Sequence, residues 1–281
     1  MPGLALRAYH ALPAPLRTVA ATARGAVLSR WRYGPETDAL VDEALARDTW
    51  PAERWRAYTE ARLAETLHRA ATRVPYYRAQ WAARRRAGDR ASWELLANWP
   101  VLEKEALRRA PRAFVADDRD VRRLFHDHTS GTTGTSLDVW LARDTVRRWY
   151  ALFEARTRRW YGVSRRDRWA IVGGQLVAPQ HAAAPPYWVW NGALRQLYFS
   201  AYHVAPRTAR DYAAALRDHG VVHLLGYPSG MHALAEALLA AGADVPRLRV
   251  VVANAEPLWA HQRTALAQAF GAPVRETYGL S

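Results

Sequence analysis

The last third of the chain sets the tightest limit on its fold. Helical and apolar extended segments alternate there. TARDYAAALRDHG (208–220) has helical spacing and ends on glycine, VVHLLGYPS (221–229) is an apolar strand, and SGMHALAEALLAAG (229–242) is again helical. RLRVVVANAE (247–256), PLWAHQRTALAQAFG (257–271) and APVRETYG (272–279) repeat the alternation as strand, helix and strand. Ser229 suits a helix cap and Pro257 a first helical turn. A βαβαβ order of this kind implies a mostly parallel sheet flanked by helices, an α/β fold.

In such sheets ligands gather beyond the carboxyl ends of the strands. RWAIVGG (168–174) and QLYFSAYHV (196–204) add two strands upstream, on either side of a proline-rich loop at 179–186. The segments at the strand ends are then GGQ, SAYH, GYPS, NAEP and TYG. LDVWLA (137–142) alternates like a strand, and residues 144–162 form a helix with Asp144 as its expected cap and Gly162 as its stop. Further upstream, 36–87 has helical spacing broken at Pro75, and a short helix runs between Pro100 and Pro111. The expected division is a helical accessory region over 1–121 and an α/β region over 122–281.

The chain has 281 residues and 50% hydrophobic content, enough for a sizeable core, and no cysteine. Disulfides, thiolate zinc sites and a cysteine nucleophile are excluded, and a cytoplasmic location fits. Net charge is +14, almost all of it arginine, since Lys104 is the only lysine. The arginines are scattered and no nucleic-acid motif accompanies them, so the bias reads as codon preference and no specific nucleic-acid partner is expected. Residues 1–34 lack the apolar run of a signal peptide or a transmembrane segment. They suit a short basic amphipathic helix that packs on the protein's own body or touches a membrane surface. His219 and His223 stand four apart with Gly220 between them, which breaks the helical face a zinc pair would use. No metal-ligating residues are assigned.

One loop is unlike the rest of the chain. In HTSGTTGTSL (128–137) the residues are nearly all glycine, serine and threonine. Gly131 and Gly134 let the backbone come close to a ligand. Backbone N–H groups, with the hydroxyls of Thr129, Ser130, Thr132, Thr133 and Thr135, can surround anionic oxygens. His128 adjoins this loop. The alternative is a plain turn between two strands. A Walker A loop is excluded, because the glycines are too close, no lysine follows and a strand comes next. GYPSG has the wrong order for a serine-hydrolase elbow.

TSGTTGTS, in this position and with these flanks, resembles the phosphate-loop signature of the adenylate-forming (acyl-CoA synthetase-like) superfamily. Within it the chain is similar to the phenylacetate–CoA ligase branch, including its CapK-like homologues associated with capsular polysaccharide biosynthesis. VPYYR and WPVLEKEAL resemble that branch's lead-in, GYPSGMHALA its acyl-pocket turn, NAEPL its adenine segment and ETYGLS its aromatic-Gly motif. The likeness runs from about residue 70 to 281. Thr135 stands where the superfamily usually has lysine, which removes one charge from the loop.

The resemblance implies the large N-terminal domain of an adenylate-forming enzyme. It implies attack of a carboxylate on the α-phosphate of ATP, then transfer of the acyl group to a thiol such as coenzyme A, with Mg²⁺ carried by phosphate oxygens and water. Thr129 to Thr135 would hold the β- and γ-phosphates. Ala255, Glu256 and Pro257 would flank the adenine, with Tyr278 stacked on it and Gly279 permitting close approach. Gly173, Gly174, Tyr202, His203, Gly226 and Tyr227 would line the acid pocket, and an aromatic acid is compatible with them. The family's Mg²⁺-binding Glu, ribose-binding Asp and C-terminal domain with its catalytic Lys would follow Ser281. The chain is therefore expected to be a fragment without useful adenylation activity. The alternative is a non-catalytic nucleotide-binding protein on the same scaffold.

Overall fold

The computed structural model describes residues 4–129 and 136–277. In chain order the helices α1 (Leu4–Ala11), α2 (Ala14–Arg32), α3 (Thr37–Ala46), α4 (Ala52–Arg73), α5 (Pro75–Arg86) and α6 (Lys104–Arg109) come first. The hairpin strands β1 (Phe125–His128) and β2 (Asp138–Leu141) follow, then α7 (Arg143–Thr157). The remainder is β3 (Trp169–Gly173), β4 (Trp188–Asn191), β5 (Gln196–Ser200), α8 (Ala209–Asp218), β6 (His223–Gly226), α9 (Pro228–Ala240), β7 (Val250–Ala253), α10 (Ala260–Phe270) and β8 (Val274–Glu276).

Contacts divide the chain into two units, residues 1–41 with 150–281 and residues 42–149. This division differs from the expected break at 121, because the first helices pack on the sheet. Gly25 of α2 lies where any side chain would collide with the Asn191 carboxamide of β4. The Gly192 amide donates to Thr22 Oγ1 at 3.0 Å, and Arg17 donates to the Val177 carbonyl at 3.4 Å.

The sheet order is β4-β5-β3-β6-β7-β8, with β4 antiparallel and all other pairings parallel. Successive side chains on a strand point to opposite faces. Ala170, Val172, Leu197, Phe199, Leu224 and Val251 pack on one face against Tyr212, Leu216, Met231, Leu234, Leu238 and Leu266 of α8, α9 and α10. Trp169, Leu225, Val250 and Val252 pack on the other, where Phe153 of α7 joins them. Two-sided burial is why these strands read as unbroken apolar runs. Three helix starts differ from expectation. Asp144 sits in the first turn of α7, Ser229 is the second residue of α9 behind Pro228, and α10 begins three residues after Pro257. β4 was not anticipated, since four residues between a proline-rich loop and a turn give too short a pattern.

The second unit is organised by aromatic rings. Tyr76 stacks on Phe114 with centroids 4.2 Å apart, Tyr77 meets Trp99 edge-on, and Trp81 is buried against Trp99. The VPYYR and NWP segments are therefore halves of one small core.

The α7 face of the sheet also buries polar groups. Glu154 and Arg158 are nearly inaccessible and form an ion pair at 3.1 Å. The Glu154 carboxylate accepts the Arg165 amide at 2.8 Å, and the Arg158 guanidinium lies 4.8 Å from the Trp169 ring. Removing one partner leaves the other charge buried and alone. Glu154→Ala should therefore lower the unfolding free energy by about 3–5 kcal/mol in urea titrations followed by tryptophan fluorescence.

His223 stacks parallel to Trp169, is fully buried, and has no hydrogen-bond partner for either ring nitrogen. Burial, reinforced by Arg158 and Arg249, pushes its pKa from 6.5 down to about 3. Above pH 6.5 both states hold it neutral; between 6.5 and about 3 the unfolded chain takes up a proton that the folded one refuses. This group should cost about 1.4 kcal/mol of stability per pH unit over that window, levelling off below it. Urea midpoints measured across the window should lose this component in His223→Phe.

Candidate functional site

The parallel strands end in register. Phe199, Val172, Gly226, Ala253 and Glu276 form one row across the sheet. The chain leaves the sheet through Ser200, Gly173, Tyr227, Asn254 and Thr277, with the Asn254 amide bonded to Gly226 O at 3.1 Å and the Thr277 amide to Ala253 O at 2.9 Å. Four of the segments singled out in the sequence, and Thr277 of the fifth, thus start side by side along one edge. Tyr278 and Gly279 lie outside the described residues.

Two glycines make close approaches at this edge. A Cβ on Gly226 would stand 2.8 Å from the Val172 carbonyl oxygen, so any side chain would push β6 away from β3. A Cβ on Gly173 would collide with the Tyr198 hydroxyl. Tyr198 was not singled out in the sequence. Its signal was the alternation of QLYFS, which turns Tyr198 away from the face that buries Leu197 and Phe199. Burial raises its pKa to about 12, and Tyr227 and Tyr202 add to the rise while a backbone hydrogen bond to Gln175 opposes it. The Tyr198 phenol is therefore neutral at physiological pH. Tyr202 donates to the Gly174 carbonyl at 3.0 Å, and both Tyr202 and Tyr227 present exposed rings. Three phenols and two glycines share this corner.

His203 has a different position. Its Nε2 faces the Pro179 carbonyl at 3.0 Å, which can only accept, so Nε2 carries the proton. Nδ1 then accepts the Ser200 hydroxyl at 2.8 Å, and the ring stacks on Tyr187 at 4.9 Å. Both nitrogens are committed, and Ser200 is fully buried. The Ser–His contact anchors the turn after β5 and is no nucleophile–base pair.

Ala255 takes a left-handed backbone, φ 63°, after β7. This turn brings Glu256 to the start of α9, where its carboxylate accepts the Ser229 amide at 3.0 Å. A helix N-terminus leaves such amides unpaired and favours negative charge. Glu256 thereby ties the β7 loop to the β6–α9 turn, and Pro257 follows it at the surface.

The hydroxyl-glycine loop springs from the hairpin of the second unit. β1 and β2 pair from Phe125 with Leu141 to His128 with Asp138. Beyond them the Thr129 amide donates to Leu137 O, and the Leu137 amide donates to Thr129 Oγ1, both at 3.0 Å. Thr129 thus closes the base of the loop with backbone and side chain. His126 bonds Asp138 at 2.8 Å and stacks on Trp140. Ser130, Gly131, Thr132, Thr133, Gly134 and Thr135 lie outside the described residues. Among the described residues no group of three or more His, Asp or Glu side chains could hold a metal ion.

Glu256→Ala removes the acceptor at the start of α9 and should cost about 1 kcal/mol of stability, read as a lowered urea midpoint. Glu256→Gln, which keeps an acceptor oxygen, should recover part of that loss.

No protein-family model matches the chain. Protein CapK of Staphylococcus aureus is 25% identical over 183 residues, which cover 65% of this chain and 40% of CapK. An open conformation of 2-hydroxyisobutyryl-CoA ligase, in complex with 2-HIB-AMP and CoA, superposes with a TM-score of 0.53 at 20% identity, over 83% of this chain and 55% of the ligase. The same ligase in its postadenylation state with 2-HIB-AMP gives 0.53 at 21% identity, over 83% of this chain and 50% of that one. At these identities the solved structures show a common fold. The chain spans about half of that ligase and less of CapK. The chain is thus similar in sequence to part of CapK and shares the fold of about half of 2-hydroxyisobutyryl-CoA ligase.

Proposed function

We propose that this chain carries the nucleotide- and acyl-binding part of an ATP-dependent acid–thiol ligase. The observation that carries this reading is the shared edge at which Gly173, Tyr227, Asn254 and Thr277 leave the sheet. In this reading a carboxylate oxygen attacks the α-phosphorus of ATP, pyrophosphate leaves, and a thiol then displaces AMP from the acyl carbon. The chemistry asks mainly for positioning and charge stabilisation.

Thr129 to Thr135 hold the phosphates of ATP, and the paired Thr129 and Leu137 amides fix the loop's two ends. Ala255 and Pro257, with Tyr278 and Gly279, take the adenine. Glu256 holds their loop against α9. The acid lies against Gly173, Gly174, Gly226, Tyr202 and Tyr227, with His203 positioning the turn that carries Tyr202. Mg²⁺ would arrive on phosphate oxygens and water. The superposed ligase is in complex with CoA, and we take coenzyme A as the acceptor here. An aromatic acid and a role in capsular polysaccharide assembly rest on the branch resemblance, and a cytoplasmic location rests on the cysteine-free composition.

Equilibrium dialysis of the full chain against ATP tests this directly. Binding is expected, and Thr129→Ala should weaken it about tenfold, the loss of one hydrogen bond at the loop base. Absence of ATP binding at millimolar nucleotide would overturn the reading. Robust acid-dependent pyrophosphate exchange by this chain would overturn the expectation that it lacks useful adenylation activity.

A further inference from the structure

The second helix is turned inside out. The face of α2 packed on the protein carries Arg17, Thr18, Thr22 and Gly25, of which Arg17 and Gly25 are buried. Thr22 and Arg17 spend their polar groups on the backbone of 177 and 192. The opposite face carries Leu16, Val19, Ala20, Ala23 and Val27, spaced three and four residues apart. Leu16 is 50% exposed, Val19 63% and Val27 54%. A surface helix of a soluble protein normally shows the reverse order.

The segments that carry and border this stripe hold charge of one sign. Residues 1–35 contain five arginines and no Asp or Glu. Arg7, Arg24 and Arg30 are exposed. The stretch from 168 to 210, which includes the edge strand β4 that α2 packs against, contains four arginines and again no carboxylate. Beside the N-terminal half of α2 a cleft of about 280 Å³ is walled by Trp188, Trp190 and Pro186. Indole rings favour the boundary between lipid headgroups and hydrocarbon.

We propose that the exposed face of α2, with its arginine flanks, is a docking surface for an anionic lipid bilayer. The helix would lie in the plane of the interface, Leu16, Val19, Ala23 and Val27 entering the acyl boundary while the arginines meet lipid phosphates. No helix among the described residues is long and apolar enough to cross a membrane, so the contact is a surface one. This inference rests on α2 and β4 alone and is independent of the ligase reading.

Co-sedimentation of the full chain with vesicles is the test. Vesicles of phosphatidylcholine mixed with phosphatidylglycerol should pellet the protein, and phosphatidylcholine alone should not. High salt should release it. The double substitution Val19→Asp, Val27→Asp changes two exposed positions and should reduce vesicle binding at least about tenfold. Its circular dichroism and its ATP binding should stay those of the parent chain. Equal pelleting of parent and double variant, or no pelleting with the anionic vesicles, would overturn the proposal. So would a parent chain that avoids vesicles but sizes as a dimer which the double substitution splits, since the stripe would then be an interface between copies.

Discussion

The parallel sheet must be covered on both faces, and most of the first unit follows from that requirement. Alternate residues of β3, β6 and β7 point to opposite sides, and nearly all are apolar. Helices α8, α9 and α10 cover one side. On the other, the residues around α7 bury a charged pair, Glu154 with Arg158, and a histidine whose ring nitrogens have no hydrogen-bond partner. A layer that includes buried charge depends on its pairing, since either ion alone would be left in a low-dielectric interior.

Covering both faces leaves the strand ends as the open part of this sheet. The parallel register carries glycine, tyrosine and asparagine to one edge, where Gly226 and Gly173 let neighbouring groups close in. The left-handed Ala255 and the Glu256 contact to α9 then give this edge a defined shape. The Ser200–His203 pair does the same for the turn after β5. Several residues at this edge act on other residues, and the surfaces left to a ligand are largely backbone, phenols and the exposed turn.

The edge strand β4 gives the N-terminal helices their place. Its antiparallel addition extends the sheet by one strand, and α2 lies along it through small and polar residues. With that face used, the apolar residues of α2 face outward, and the arginines around them make a positive surface. Amphipathic spacing alone could not say which face would be buried, because packing against Asn191 and the backbone of Gly192 requires glycine and threonine where leucine would be the usual choice.

The sequence by itself determined the βαβαβ rhythm, the parallel sheet and the segments at the strand ends, because side-chain periodicity and helix terminators are local properties of the chain. It also marked the Ser/Thr/Gly loop, since glycine and hydroxyl residues concentrate there. Only the tertiary structure decided that His203 is a buried strut and Glu256 a cap for α9, that Tyr198 joins Tyr202 and Tyr227, and that residues 1–41 pack with the sheet unit. Each of these rests on a contact between residues far apart in the chain or on a backbone turn, and neither the residue type nor its spacing records which partner a side chain will meet.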